Sequence, residues 1–221
     1  DTDPNLLPSY CRQAKIVFHL AGVNRPKEAS EFVEGNVDFT ELLLSKLDEC
    51  DNYCPIVVTS SVQAELDNPY GLSKKASEVL LQKYKQKTGA RVVLFRLPNV
   101  FGKWCRPFYN NVIATFCHQI TRDLPITIND GSTIISLAYI DDVVNELILA
   151  MEATSSPSDE YQKIPKTFTR SLQEIAIMIR EFSENRKDMN VSDMADEFTF
   201  KLYSTFLSYL PTDRFSYFPK T

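Results

Sequence analysis

The sequence predicts an α/β protein, a doubly wound parallel sheet with a small C-terminal lobe, and three observations carry that prediction. Residues 15–20, 55–61 and 91–97 are short, nearly continuous apolar runs, the pattern of strands buried on both faces. Amphipathic stretches of helical length separate them with short links, which favours parallel strands joined by helical crossovers. Polar and glycine-containing groups close each run: His19 to Gly22, Thr59 to Ser61, and Pro98 to Gly102. Sheets of this type bind their ligands beyond the carboxyl ends of the strands.

The elements follow in order. A helix-like stretch after Pro8 leads into the first run, Lys15-Ile16-Val17-Phe18-His19-Leu20, which ends at Ala21-Gly22. Phe32, Val33, Val37, Leu42, Leu43, Leu44 and Leu47 recur at helical spacing over residues 32–47. The second run turns polar at Ser60 and Ser61. Asn68 is a favourable N-cap and Pro69 suits the first helical position, so a helix is expected from there to about Lys87, stopped by Gly89. The third run is broken by Pro98. Beyond Gly102 the pattern loosens into a loop holding Trp104, a helix over 110–122, and strands over 125–128 and 134–140 around Asn129-Asp130-Gly131-Ser132. Helices are then expected over 141–151, 171–184 and 196–210, with a polar loop at 154–159. The tail, 214–221 with Phe215, Tyr217 and Phe218, reads as an extended docking segment or the start of a linker. The domain reading is a cofactor-binding unit over 1–102 and a substrate lobe over 103–221, with 134–152 returning to the first unit.

Composition excludes several classes of function. The 221 residues are 43% hydrophobic and 24% charged, ordinary for a globular protein able to bury a core. A net charge of −5 and a pI near 5.2 argue against a general nucleic-acid surface or a polybasic membrane patch. No apolar run approaches the roughly 20 residues that span a bilayer, and no signal peptide is visible, so a cytoplasmic location is expected. Cys11, Cys50, Cys54, Cys105 and Cys117 form no ladder of spacings and read as reduced thiols. Neither histidine, His19 or His118, lies near Cys50 and Cys54 in sequence, so no metal site is expected. The 6 glycines include no phosphate-binding loop.

The motif Asn68-Pro69-Tyr70-Gly71-Leu72-Ser73-Lys74 is the chemical centre of the sequence. Tyr70 falls in the first helical turn and Lys74 one turn later on the same face. A phenol has an unperturbed pKa of about 10. A nearby ammonium and the positive end of the helix dipole favour the phenolate, which would ease proton transfer near neutral pH. The plainer reading is a surface Tyr-Lys pair; the polar strand ends arrayed in the same order favour the chemical one.

On these residues the chain resembles an extended short-chain dehydrogenase/reductase acting on nucleotide sugars, which implies a Rossmann-like sheet. His19-Leu20-Ala21-Gly22 is similar to the segment lining the cofactor cleft, and Asn36 to the helix asparagine that helps order the active site. Ser60 and Ser61 stand where the family keeps a catalytic Ser or Thr, with Ser61 favoured by alignment; Tyr70 and Lys74 follow. Arg96-Leu97-Pro98-Asn99-Val100-Phe101-Gly102 resembles the segment touching nicotinamide and sugar nucleotide, and Tyr139-Ile140-Asp141-Asp142-Val143 the motif opening a late helix. The segments Val23-Asn24-Arg25-Pro26, Lys103-Trp104-Cys105, Ala114-Thr115-Phe116-Cys117 and Ser208-Tyr209-Leu210-Pro211 extend the resemblance. They are similar to the reductase half of the bifunctional bacterial enzymes that make UDP-N-acetyl-L-fucosamine for capsular polysaccharide.

That resemblance implies reduction of a 4-keto group on a UDP-N-acetyl-6-deoxyhexosulose, with NADPH (NAD possible) as cofactor and no metal in this chain. The product would be an N-acetyl-6-deoxy-L-talosamine nucleotide. Ser61, Tyr70, Lys74 and Asn36 would be catalytic. Leu20, Ala21, Gly22, Ser60, Tyr70, Lys74 and Pro98 would hold the cofactor, and Asn99, Arg25, Lys103 and Arg106 the substrate. Many sugar-nucleotide enzymes have a phosphate-binding Arg where Ile135 stands here, leaving Arg25, Lys103 or Arg106 to take the diphosphate. The resemblance also implies a homodimer, a glycine loop and first strands preceding residue 1, and a zinc cupin domain that epimerises the sugar at C3 following residue 221. Two alternatives remain: a 4-epimerase or dehydratase of the same fold, and a non-catalytic binding domain with a degraded cofactor site. His19 reads more simply as a hydrogen-bonded cleft residue, Trp104 as a packing contact or a sugar platform, and Asp141 and Asp142 as helix-terminal charges.

Overall fold

The computed structural model describes residues 3–154 and 160–214. The expected docking tail beyond 214 and all but the first residue of the polar loop at 154–159 lie outside the described residues. Contacts divide the chain into two compact units, Asp1–Leu97 with Asn145–Ile164, and Pro98–Val144 with Pro165–Thr221. The sequence places the boundary at residue 102 and the return at 134; the contacts place them at 97 and 145.

The first unit is the expected parallel sheet. Strands β1 (Val17–His19), β2 (Ile56–Ser61) and β3 (Val92–Leu97) lie in the order β1-β2-β3, all parallel. Helices α1 (Leu7–Gln13), α2 (Ser30–Phe32), α3 (Phe39–Glu49) and α4 (Pro69–Thr88) belong to the same unit. One sheet face, Ile56, Val58, Val92 and Leu94, packs on Cys11 of α1, Leu43, Leu44 and Leu47 of α3, and Leu81 and Tyr84 of α4. Val57, Val93 and Phe95 on the other face are buried too, so β2 and β3 do not show the alternation of a half-exposed sheet, while Phe18 of β1 is exposed on that face.

Local chemistry fixes α4 at both ends. The Asn68 carboxamide accepts from the Gly71 amide at 2.8 Å, and Gly89 takes the left-handed conformation at φ 74° while its amide reaches the Lys85 carbonyl. A Cβ at Gly89 would meet nothing, so Gly89→Ala isolates the backbone cost. We expect about 1 kcal/mol of lost stability, a drop of about 2–4 °C in Tm for a chain of this size; an unchanged Tm in a thermal melt would show that the helix end relaxes freely. Gly71 is needed for space instead, since a Cβ there would lie 2.2 Å from the Gln63 carbonyl oxygen.

The expected helix over 32–47 is not uniform. Between α2 and α3, residues Val33–Asp38 form a π-helical segment. Its Gly35 packs so tightly on Val23 that a Cβ would stand 2.3 Å from the Val23 side chain. π-helical segments occur often at functional sites.

The second unit is built on strands β4 (Asn99–Phe101), β5 (Ile134–Tyr139) and β6 (Phe168–Ser171), with β4 parallel and β6 antiparallel to β5. Helix α5 (Val112–Ile120) is capped by Asn111, and α7 (Leu172–Lys187) by a capping box between Ser171 and Glu174. Helix α6 (Ile140–Glu152) starts in this unit, and α8 (Glu197–Leu207) lies wholly in it. The core joins Phe101, Ile113, Phe116, Leu137, Ile175, Ile179, Phe182, Phe198 and Phe206.

Three expectations are corrected here. No strand forms over 125–128: Pro125 has no amide hydrogen to give a ladder, its carbonyl accepts from Gln119, and Ile126 and Ile128 pack on the core as loop residues. The last helix stops at Leu207, three residues short of the expectation, with Ser208 as its C-cap. Strands β4 and β6 were not anticipated, being only 3 and 4 residues long.

Candidate active site

Three elements of the first unit, the π-helical segment, β2 and α4, bring Asn36, Ser61, Tyr70 and Lys74 to the carboxyl end of the sheet. Ser61 is the last residue of β2, and its hydroxyl oxygen accepts from the Gln63 amide, capping the short 3-10 turn Val62–Glu65. Ser61 also stands by the Tyr70 phenol, where it favours the ionised form. Tyr70 sits in the first turn of α4, half-buried, its ring 5.9 Å from that of Phe32.

The electrostatics differ from the expectation. The Tyr70 phenol is held above the ordinary tyrosine value, because burial outweighs the influence of Ser61, which favours the phenolate. Lys74, buried with 8% exposure, gives its ammonium to the Thr59 carbonyl at 3.1 Å. Burial pulls the Lys74 pKa down, and the Glu78 carboxylate partly restores it. The ammonium is therefore tied to the strand, and the free protein holds Tyr70 as a neutral phenol, a proton donor.

Asn36 is 2% exposed and organises the loop beside this pair. Its carboxamide exchanges two hydrogen bonds with the Val23 backbone, at 2.8 and 2.9 Å, and donates a third to Ser73 of α4. Its own carbonyl accepts from the hydroxyls of Thr40 and Ser77. Thr40 meets the His19 ring at 2.8 Å, and burial, reinforced by the Lys74 charge, drives His19 down to about pKa 4. His19 is a neutral, hydrogen-bonded residue of the wall.

Ser60 faces elsewhere. Its hydroxyl donates to Glu78 at 2.5 Å, and Glu78 is gripped by both Nε and Nη2 of Arg96, at 3.0 and 2.6 Å. The Arg96 guanidinium lies 3.5 Å over the Tyr161 ring and also reaches Glu65. The sequence reading missed this network, although a charged residue inside an apolar run was its signal.

Leu20, Ala21 and Gly22 are exposed beyond β1, as is Arg25. The remaining predicted residues belong to the second unit. Pro98 is half-buried; Asn99 is exposed and donates to the Ser136 carbonyl at 3.3 Å. Lys103 stands 3.7 Å from Asp141, and exposed Arg106 lies 5.6 Å over the Tyr109 ring. Ile135 is half-buried in β5. Asp141 and Asp142 lie inside the first turn of α6, which starts at Ile140, and Asp142 pairs with Lys201 at 2.5 Å. All five cysteines are free, and burial raises the Cys11, Cys54, Cys105 and Cys117 thiols. Among the described residues no group of three His, Cys, Asp or Glu could hold a metal ion, and no helix is long and apolar enough to cross a membrane.

A serine, a tyrosine and a lysine gathered at the carboxyl end of a parallel α/β sheet is the layout of a short-chain dehydrogenase/reductase. The chain belongs to the NAD dependent epimerase/dehydratase family, whose model matches residues 2–162. It is 46% identical over 211 residues to a UDP-2-acetamido-2,6-beta-L-arabino-hexul-4-ose reductase of Pseudomonas aeruginosa, covering 96% of this chain and 56% of that protein. Its fold matches the capsular polysaccharide assembling protein CapF of Staphylococcus aureus with a TM-score of 0.88 and 39% identity, over 98% of this chain and 58% of that one. The UDP-glucuronic acid 4-epimerase of Bacillus cereus, solved with NAD, shares the fold at a TM-score of 0.78 and 20% identity, over 95% of this chain and 76% of that one. The chain thus spans a little over half the length of the first two.

The residues present fit the family's nicotinamide cofactor. A Cβ at Gly22 would stand 2.9 Å from Asn36 Oδ1 and 3.4 Å from Lys74 Nζ, so only glycine keeps the ammonium approachable from the exposed end of β1. Leu20, Ala21, Gly22 and Lys74 are the residues that would hold it.

Proposed function

We propose that this chain is the reductase part of an enzyme that reduces the 4-keto group of a UDP-N-acetyl-6-deoxyhexosulose during synthesis of a bacterial surface polysaccharide precursor. The observation that carries the reading is the gathering of Ser61, the neutral Tyr70 phenol and the buried Lys74 at the carboxyl end of the sheet. The identity to the Pseudomonas reductase supports the substrate class. A bound NADPH supplies the hydride.

The chain's own residues do the rest. Ser61 orients the carbonyl oxygen by hydrogen bonding. Tyr70 gives that oxygen its phenolic proton as C4 becomes an alcohol carbon, and the phenolate is then reprotonated from solvent. Lys74 favours the transient phenolate and holds the cofactor's ribose, while Asn36 fixes the loop at 23 and the helix bearing Ser73. Asn99, Lys103 and Arg106 take the sugar nucleotide, with Arg25 beside them in role. A cytoplasmic homodimer, with a cupin domain elsewhere in the protein, completes the proposal.

The test is consumption of reduced nicotinamide by the intact protein given the 4-keto UDP-sugar, followed by absorbance and with NADPH and NADH compared. Stoichiometric oxidation with formation of the 4-hydroxy sugar is expected, with preference for NADPH. Sugar interconversion without net oxidation would replace the reductase by an epimerase or dehydratase, and no nucleotide binding at all would leave a scaffold.

A further inference from the structure

The loop at 103–109 in the second unit has an unusual backbone for its sequence. Trp104 and Phe108 both take left-handed conformations, at φ 61° and 58°, which bulky side chains avoid. Such outliers persist only where surrounding contacts over-determine them, and they concentrate at functional sites. The Trp104 side chain is not packed away in exchange: Trp104 is 82% exposed.

The contacts that impose this shape come largely from the segment after α8. The Ser208 hydroxyl accepts from the Trp104 amide at 3.4 Å, and the Tyr209 hydroxyl donates to the Cys105 carbonyl at 2.5 Å. Tyr209 is 7% exposed and its own carbonyl is held by Thr121 and Arg122, at 3.1 and 3.0 Å. At the far end of the loop, the Phe108 amide donates to Thr115 and its ring meets His118 edge-on at 5.2 Å. Between these anchors stand two cations and three exposed rings: Lys103, Arg106, Trp104, Phe108 and Tyr109. Cations suit a diphosphate and exposed aromatic faces suit a base or sugar ring.

We infer that Ser208 and Tyr209 form a latch that holds the 103–109 loop in a strained, preformed shape for the uridine diphosphate of the substrate, with Tyr209 as a positioning residue. This rests on the nucleotide-sugar reading above. Preforming the loop removes the ordering cost that binding would otherwise bear. Burial keeps Tyr209 a neutral phenol, so the donor is present throughout the physiological pH range.

The test is a titration of the 221-residue chain with UDP alone, read through the fluorescence of Trp104, its single tryptophan. We expect UDP to quench Trp104, and Tyr209→Phe, which keeps the ring in the core, to weaken UDP roughly tenfold and shift the Trp104 emission. In the intact enzyme the same variant should raise KM for the UDP-sugar while leaving kcat and KM for NADPH as they are, a split that simple loss of stability would not produce. If Tyr209→Phe fails to fold, Ser208→Ala, which removes the bond to the Trp104 amide together with the Ser208 bond to the Thr205 carbonyl at the end of α8, should move UDP affinity the same way. Unchanged UDP affinity in the folded variant, or no quenching in the parent chain, overturns the inference. The titration needs no cofactor, so a protein that binds UDP through the latch but oxidises no NADPH would sink the reductase reading alone.

Discussion

Tyr70→Phe should cut turnover of the 4-keto sugar by roughly 10²–10⁴-fold, the usual worth of a positioned general acid, and leave NADPH binding nearly intact, since only one of the several residues expected to hold the cofactor loses a hydroxyl. The reasoning is local. The phenol is half-buried, beside Ser61 and kept neutral by burial, so it is the proton source at the strand end. Phenylalanine preserves the ring and its approach to Phe32 and deletes only the hydroxyl that carries that proton. The pH dependence follows with a definite sign. Reduction consumes the phenolic proton, and the folded-state pKa lies above the ordinary tyrosine value, so activity should persist to high pH and decline as the phenol ionises. The Lys74 ammonium is lost at lower pH than an ordinary lysine's, so its loss should add to the alkaline limb. Single-turnover hydride transfer in Tyr70→Phe at the parent rate would remove Tyr70 from the mechanism.

Much of this site was legible because its signals are local. Asn68, Pro69 and Gly89 announce both ends of α4 through backbone preferences that tertiary context left in place. The order of polar strand ends, with Tyr70 and Lys74 one turn apart, follows from chain connectivity alone. The charge state was not legible. A Tyr-Lys pair on a helix suggests a lowered phenol pKa, but the direction depends on how much water the fold removes and where the ammonium points. Here the ammonium points to the Thr59 carbonyl. The π-helical segment at Val33–Asp38 was hidden as well, since the apolar spacing over 32–47 is that of an ordinary helix and the close approach of Gly35 to Val23 is a tertiary contact. The hydrogen bond between Tyr209 and Cys105 joins residues 104 apart, and nothing in either neighbourhood announces the other.

Arg96→Met should cost about 3–5 kcal/mol, the penalty for stranding a buried charge when its partner is removed. Glu78 is 1% exposed, and the Arg96 side chain retains 13%, so this pair is far from the screened surface pairs that contribute little. Methionine keeps much of the volume over Tyr161 but removes both Arg96 donors to Glu78, leaving that carboxylate with the Ser60 hydroxyl and the nearby Lys74 charge. Glu78→Gln combined with Arg96→Met should recover much of the loss, because the cost lies in the uncompensated charge and not in the pair's net attraction. Denaturant titration of the two single variants and the double one measures the coupling directly. A loss below about 1 kcal/mol in Arg96→Met would place the pair with exposed ion pairs and would mean that water reaches Glu78. The consequence reaches the chemistry by a short path. Glu78 lies one turn beyond Lys74 on α4 and bonds the residue before Ser61 on β2, so the same ion pair that stabilises the fold ties the helix carrying Tyr70 and Lys74 to the strand carrying Ser61.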